Sequence, residues 1–319
     1  MPTARRTLVA TGGFDDAQLT AMIRSGVLVT PFRGVVGPQE VSRSPMARFA
    51  AALACQDITA ALGHRSAAVA SRLRWVPESW READAVVDVV VPRTDARRHR
   101  SGLRLHRALL DPADVTVIDG LRCTSVARTL ADLARNRREP RLLVVQILDG
   151  ALRDGLVTED QLQSTVDRLA GLRGVVRARQ LIAFGRNGVD SPKETELRLA
   201  LLDGGVPHVD VDIRITDRDG VLLARGDIGE RDLLLWGEYD GYDVHSQRDV
   251  FNSDRRGDRW LERRGWHVMR FTNDDLQRPW RLVSEWLTAR AAAPARIAAM
   301  RPDRSPEVAA ARRALGLDR

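Results

Sequence analysis

The chain has 319 residues, enough for two or three domains with separate cores. Lys plus Arg number 50 against 43 Asp plus Glu, a formal charge of +7 that permits a polyanionic partner without demanding one. Cys55 and Cys123 stand far apart, outside any Cys-x-x-Cys or Cys/His spacing, which argues against a disulfide scaffold or a zinc site and fits a reducing cytosol. The apolar run after Arg5-Arg6 stops at Thr11-Gly12-Gly13, too short for a signal peptide. Arg48 and Asp57 interrupt the best approach to a membrane span. The expectation is a soluble cytoplasmic protein with no membrane partner; the sequence leaves its oligomeric state open. Lys193 is the one lysine. Arginine suits bidentate phosphate contacts, and its abundance also reflects GC-rich coding.

In chain order, Asp15 or Asp16 caps a helix to Ser25, and Gly26 ends it. Val27-Leu28-Val29, a turn at Pro31–Gly34 and Val35-Val36 read as a two-stranded wing. Met46 to Leu62 has helical spacing and stops at Gly63; His64 to Leu73 is a second helix. Val86 to Val91 is a strand closed by Pro92, Arg93–Arg100 a basic loop, and Leu103 to His106 a strand. Val115–Ile118 and Leu121–Cys123 form a hairpin, followed by helices at Ser125–Arg135, Arg141–Arg153 and Thr158–Leu169. A basic helix-and-loop passage, Gly171 to Arg186, leads to a linker at Asn187–Asp190.

Ser191-Pro192-Lys193-Glu194 carries three helix-start signals, and that helix runs to Leu202. Strands follow at Val209–Ile215, Val221–Ile228 and Leu233–Asp240, then a polar helix from about Asp249 to Arg264, a strand at Trp266–Phe271 and a helix near Leu276–Arg290. The tail from Ala291, rich in Ala, Arg and Pro, is expected to be flexible. The fold class is multi-domain α/β. A winged-helix-like unit spans 1–40, an α+β region 41–186, a mixed sheet flanked by helices 191–290, and the tail 291–319.

Period-2 geometry puts Leu234, Trp236, Glu238 and Asp240 on one strand face. Two unit charges about 4 Å apart repel by roughly 4 kcal/mol at an effective dielectric near 20. A cation, a proton or water must offset that cost. The functional reading is a divalent metal held for phosphodiester hydrolysis. The alternative is a set of solvated strand-end acids.

The segment Ser191 to Leu287 resembles a PD-(D/E)xK nuclease-fold domain of the very-short-patch-repair (Vsr-like) endonuclease type. The residues that carry this are Ser191–Glu194, Asp227, Glu238–Gly241, His245, Asp254–Leu261 and Gly265–Thr272. The resemblance implies that Asp227 and Glu238 ligate Mg²⁺, with Glu194 an additional acid and Asp240 a third ligand or weak base. His245 is the general base or leaving-group acid. Asp240 stands where the family has lysine; the short-patch-repair enzymes have a histidine there and another five residues on, where His245 stands. Glu194 equally reads as the capping partner of Ser191, and His245 as a loop residue. Arg255, Arg259 and Arg263 line one helical stripe and either track a phosphate backbone or pair with Asp254, Asp258 and Glu262.

The first 185 residues resemble AbiEi-like antitoxin regulators. The matching segments are Arg33–Val36, Gly63–Ala68, Gly120–Ala134 and Ala151–Val157. That implies DNA as a partner and a cognate toxin protein within a type IV toxin–antitoxin pair; in the N-terminal unit Arg24 and Arg33 are the best candidates for phosphate contacts. Two functions follow from the two resemblances: a Mg²⁺-dependent endonuclease, or a non-catalytic DNA-binding regulator.

Overall fold

The computed structural model describes residues 2–56, 59–82, 84–94, 101–241 and 257–318. They divide into two compact units, Met1–Gly185 and Arg186–Arg319, and the class is mixed α/β.

The first unit begins with β1 (Thr3–Ala4), α1 (Arg5–Thr11), α2 (Asp16–Arg24), β2 (Leu28–Phe32) and β3 (Val35–Pro38). The strands pair in the order β1-β3-β2. Asp15 caps α2 reciprocally: the Gln18 N–H donates to Asp15 Oδ1 at 2.7 Å, and the Asp15 N–H donates to Gln18 Oε1 at 2.9 Å. Leu19 is the buried residue of α2. The sequence expectation found α2 and the wing but missed β1 and α1. Seven residues without a side-chain cap give little local signal.

Next come α3 (Pro45–Ala54), β4 (Ala61–Leu62), α4 (His64–Ala70), β5 (Val87–Val91), β6 (Leu103–Arg107), β7 (Val115–Ile118) and β8 (Leu121–Thr124). The single helix expected over Met46–Leu62 is corrected: α3 ends at Ala54, and Leu62 pairs with Val89 on one side and Cys123 on the other. Ladder bonds from two neighbouring strands outweigh the helical spacing there. The sheet order is β6-β5-β4-β8-β7. Helices α5 (Val126–Arg135), α6 (Arg141–Arg153), α7 (Glu159–Arg168) and α8 (Val175–Ile182) follow. The division expected at residues 40 and 41 is not a core boundary. Phe32 and Val35 of the wing lie in the same buried cluster as Phe49, Leu62, Val89 and Leu103.

The second unit contains α9 (Pro192–Asp203), β9 (Asp210–Thr216), β10 (Leu222–Glu230), β11 (Leu235–Tyr239), a helical stretch α10 (257–263), β12 (His267–Phe271), α11 (Asn273–Leu276), α12 (Pro279–Ala298) and α13 (Pro306–Ala314). The sheet runs β12-β11-β10-β9, with β11 and β12 parallel and the other pairs antiparallel. One cluster holds Leu197, Leu201, Ile228, Leu235, Phe271 and Trp286. The other holds Ile213, Trp236, Leu261, Trp266, Ile297 and Val308.

The tail expected to be flexible from Ala291 is corrected by this second cluster. Helix α12 continues to Ala298 and α13 follows, with Ala293, Ile297, Val308 and Ala311 buried. Those small and branched residues match an apolar surface built by Trp236 and Trp266, which composition alone does not reveal. Leu234 takes a left-handed backbone (φ 51), so β11 starts at Leu235, two residues after the expected Leu233.

Candidate functional site

Two strands and one helix bring the predicted acids of the second unit together. Ser191 Oγ accepts the Glu194 N–H at 3.2 Å, and Pro192 opens α9. The Glu194 carboxylate accepts the Asp190 N–H at 2.8 Å, so the capping exchange reaches one residue further back than the expected capping box. Glu194 is buried, and its carboxyl is pushed up to about 7, first by burial and then by the charges of Asp227 and Asp190.

Ile228 pairs with Gly237 across β10 and β11, so the next rung sets Asp227 opposite Glu238. Asp227 Oδ2 accepts the Tyr239 N–H at 2.8 Å. Burial raises the Asp227 carboxyl above its ordinary range, while that hydrogen bond and Arg225 act against the rise. Burial likewise raises Glu238, opposed by a bond from Trp236 Nε1 at 2.8 Å and by the Arg270 charge.

Arg270 stands opposite Glu238 in the parallel register of β12. Its guanidinium lies 2.9 Å from Glu238, 3.2 Å from Asp240 and 2.7 Å from Asp258. Burial works against its charge, but the Asp258 hydrogen bond and the three carboxylates hold it above the usual arginine value. Asp240 therefore faces this guanidinium. His245 and Arg255 lie outside the described residues. Of the expected basic stripe, Asp258 is committed to Arg270, and Arg259 sits in α10, where it is exposed.

Among the described residues these acids already have a cation beside them, since Arg270 reaches both Glu238 and Asp240. Among the described residues no group of three or more His, Cys, Asp and Glu side chains could hold a metal. One positive charge is already at the site, on Arg270. That is the cation the acidic strand face requires, supplied by the adjacent strand. The sequence held the signal in Gly265–Phe271, but nothing local pairs position 270 with 238.

In the first unit, α1, a turn and α2 precede the β2–β3 wing. Arg24 ends α2 and Arg33 lies in the wing turn, both exposed. Gly34 (φ 85) supplies the left-handed residue that closes the turn. Arg5 and Arg6, missed at the sequence level, share a surface concavity with Arg33. Arg5 pairs with Asp16 at 2.7 Å.

The Gly120–Ala134 segment gives strand β8 and helix α5, and Arg128 and Asp132 of α5 face inward. Arg128 is 1% exposed and joins Asp114 at 2.7 Å and Asp132 at 2.8 Å. The Thr124 and Thr129 hydroxyls meet at 2.6 Å. Residues 59–184 match the family described as the AbiEi antitoxin C-terminal domain. The match covers this five-stranded sheet and helices α4 to α8, and it leaves the second unit outside. Two curated relatives, described as uncharacterised proteins of two strains of Mycobacterium tuberculosis, are each 28% identical over 278 residues. The likeness covers 84% of this chain and 94% of each relative, more than either unit alone accounts for.

No helix among the described residues is long and apolar enough to cross a membrane. Sequence reasoning also missed a cleft of about 920 Å³ within the AbiEi-matched residues. Nine arginines line it, and apart from Arg137-Arg138 they are separated in sequence.

Proposed function

We propose that the chain is a DNA-binding regulator of the antitoxin kind, with a cognate toxin protein as its functional partner. The observation that carries this reading is the AbiEi antitoxin C-terminal domain match over residues 59–184, preceded by two short helices and a two-stranded wing. In that arrangement α2 is the helix suited to the major groove, and the wing turn reaches the adjacent backbone. Arg24 and Arg33 contact phosphate and set the register. The second unit serves as a binding or self-association module, its acidic face neutralised from within by Arg270.

The purified chain should retard a fragment of its own promoter. The log–log salt slope should be about −0.9 per neutralised phosphate, and Arg24→Ala or Arg33→Ala should each flatten it by about that amount. Absence of retardation at low salt overturns the reading.

A second reading, Mg²⁺-dependent hydrolysis of DNA, has one observation in its favour. Asp227 faces Glu238, and the Glu194 carboxyl is raised partly by the Asp227 charge. Cleavage of duplex or single-stranded DNA with Mg²⁺ or Mn²⁺, abolished in Asp227→Ala, supports it. Intact substrate under those conditions removes it.

A further inference from the structure

The arginine-lined cleft of the first unit has no part in either reading. Its floor carries His64 and His106, stacked with ring centroids 3.7 Å apart. Beneath them Asp88 is fully buried, 2.7 Å from His106 Nε2 and 3.3 Å from Arg104. His64 Nδ1 and Asp88 Oδ2 are buried and have no hydrogen-bond partner among the described residues. Burial, with His106 beside it, pushes His64 down to about 3, so its imidazole is neutral at physiological pH.

The charge of the walls is one-sided. Nine of the lining residues are arginine and one, Asp132, is acidic. The nearby carboxylates are already committed. Asp132 pairs with Arg128 and Arg135, and Asp114 with Arg128 and Arg168. Arg177 is spent on the backbone carbonyls of Ala134, Asn136 and Glu139. Burial and then the Arg137 charge lower its pKa, as crowded cations require. Arg93, Arg137, Arg138 and Arg173 are exposed at the rim, and no carboxylate pairs with them among the described residues. Four exposed guanidinium groups lining one concave space, with no carboxylate paired to them among the described residues, make a receptor for a compact polyanion.

The volume decides the size class. About 920 Å³ is that of a small-molecule site and excludes a double helix from the interior. We propose that this cleft binds a compact polyphosphate anion: the triphosphate of a free nucleotide, or inorganic polyphosphate of similar length. Arg137, Arg138 and Arg173 grip the phosphates at the rim, and the neutral His64 Nδ1 offers one uncharged hydrogen bond at the floor. The site is independent of promoter binding through α2 and the wing, so either can fail without the other.

Titration calorimetry on the full chain tests it with ATP, GTP, inorganic triphosphate and adenosine as probes. The triphosphate compounds should bind at one site with micromolar dissociation constants, and adenosine should not bind. Tighter binding of ATP or GTP than of inorganic triphosphate assigns the cleft to nucleotides; equal binding assigns it to the phosphates alone. The double variant Arg137→Ala/Arg173→Ala should weaken binding about tenfold or more with circular dichroism and melting unchanged. Arg218→Ala, an exposed arginine of the second unit, should bind as wild type. No heat from any triphosphate at low salt overturns the proposal. So does wild-type affinity in the double variant, or an effect of that variant on duplex DNA alone.

Discussion

Arg128 offers a direct test of what the AbiEi-matched region is built around. Its guanidinium lies 2.7 Å from Asp114 and 2.8 Å from Asp132, and all three residues are at most 4% exposed. Replacing it with Met keeps most of the volume and removes the charge. Breaking a buried ion pair from one side costs about 3–5 kcal/mol, because the partner stays buried and uncompensated. Asp114 retains Arg168 at 2.8 Å and Asp132 retains Arg135 at 2.9 Å, so the low end applies. A loss of about 3 kcal/mol in a unit of this size lowers its melting temperature by roughly 6–12 °C. Calorimetry of the whole chain should place the shift in one transition, with α5 amides losing hydrogen-exchange protection. Arg128→Met/Asp114→Leu/Asp132→Leu should recover much of the loss, since an apolar replacement of a buried ion cluster is often neutral. If Arg128→Met alone costs under about 1 kcal/mol, the cluster is not desolvated and the reasoning is refuted.

Four further outcomes are expected. The Glu194 carboxyl is raised to about 7, so the folded state holds a proton that the unfolded chain releases at lower pH. Stability of the second unit should fall as pH rises from the ordinary carboxyl range to about 7; in Glu194→Gln that slope in urea midpoints should shrink, leaving the smaller share due to Asp227 and Glu238. Trp286→Phe removes the 2.8 Å hydrogen bond to the buried Glu230 and should cost about 1–3 kcal/mol by urea unfolding. If Arg270 supplies the cation of the acidic face, millimolar Mg²⁺ or Mn²⁺ should leave the wild-type melting temperature unchanged and raise that of Arg270→Ala; the reverse pattern would favour a metal centre. In gel shifts, Arg24→Ala and Arg33→Ala should weaken promoter binding, and unchanged salt slopes would remove both from the interface.

Much of the layout was legible in residue order because local rules govern it. The β-branched run Val87–Val91, the Ser191-Pro192 start of α9 and the α5 segment each state their structure within a few residues. The same rules misled where contacts are remote, as at Leu62 and in the tail.

By itself the sequence determined a multi-domain α/β chain. It also determined the helix starts and the placement of Asp227 and Glu238 each in a strand, because capping and the two-residue strand period depend only on neighbours. Tertiary structure alone decided that Arg270 answers those acids, that the wing shares a core with the sheet behind it, and that arginines from separate segments surround one cleft. Charge balance and burial are set by which distant side chains share a space, and no window along the chain contains that information.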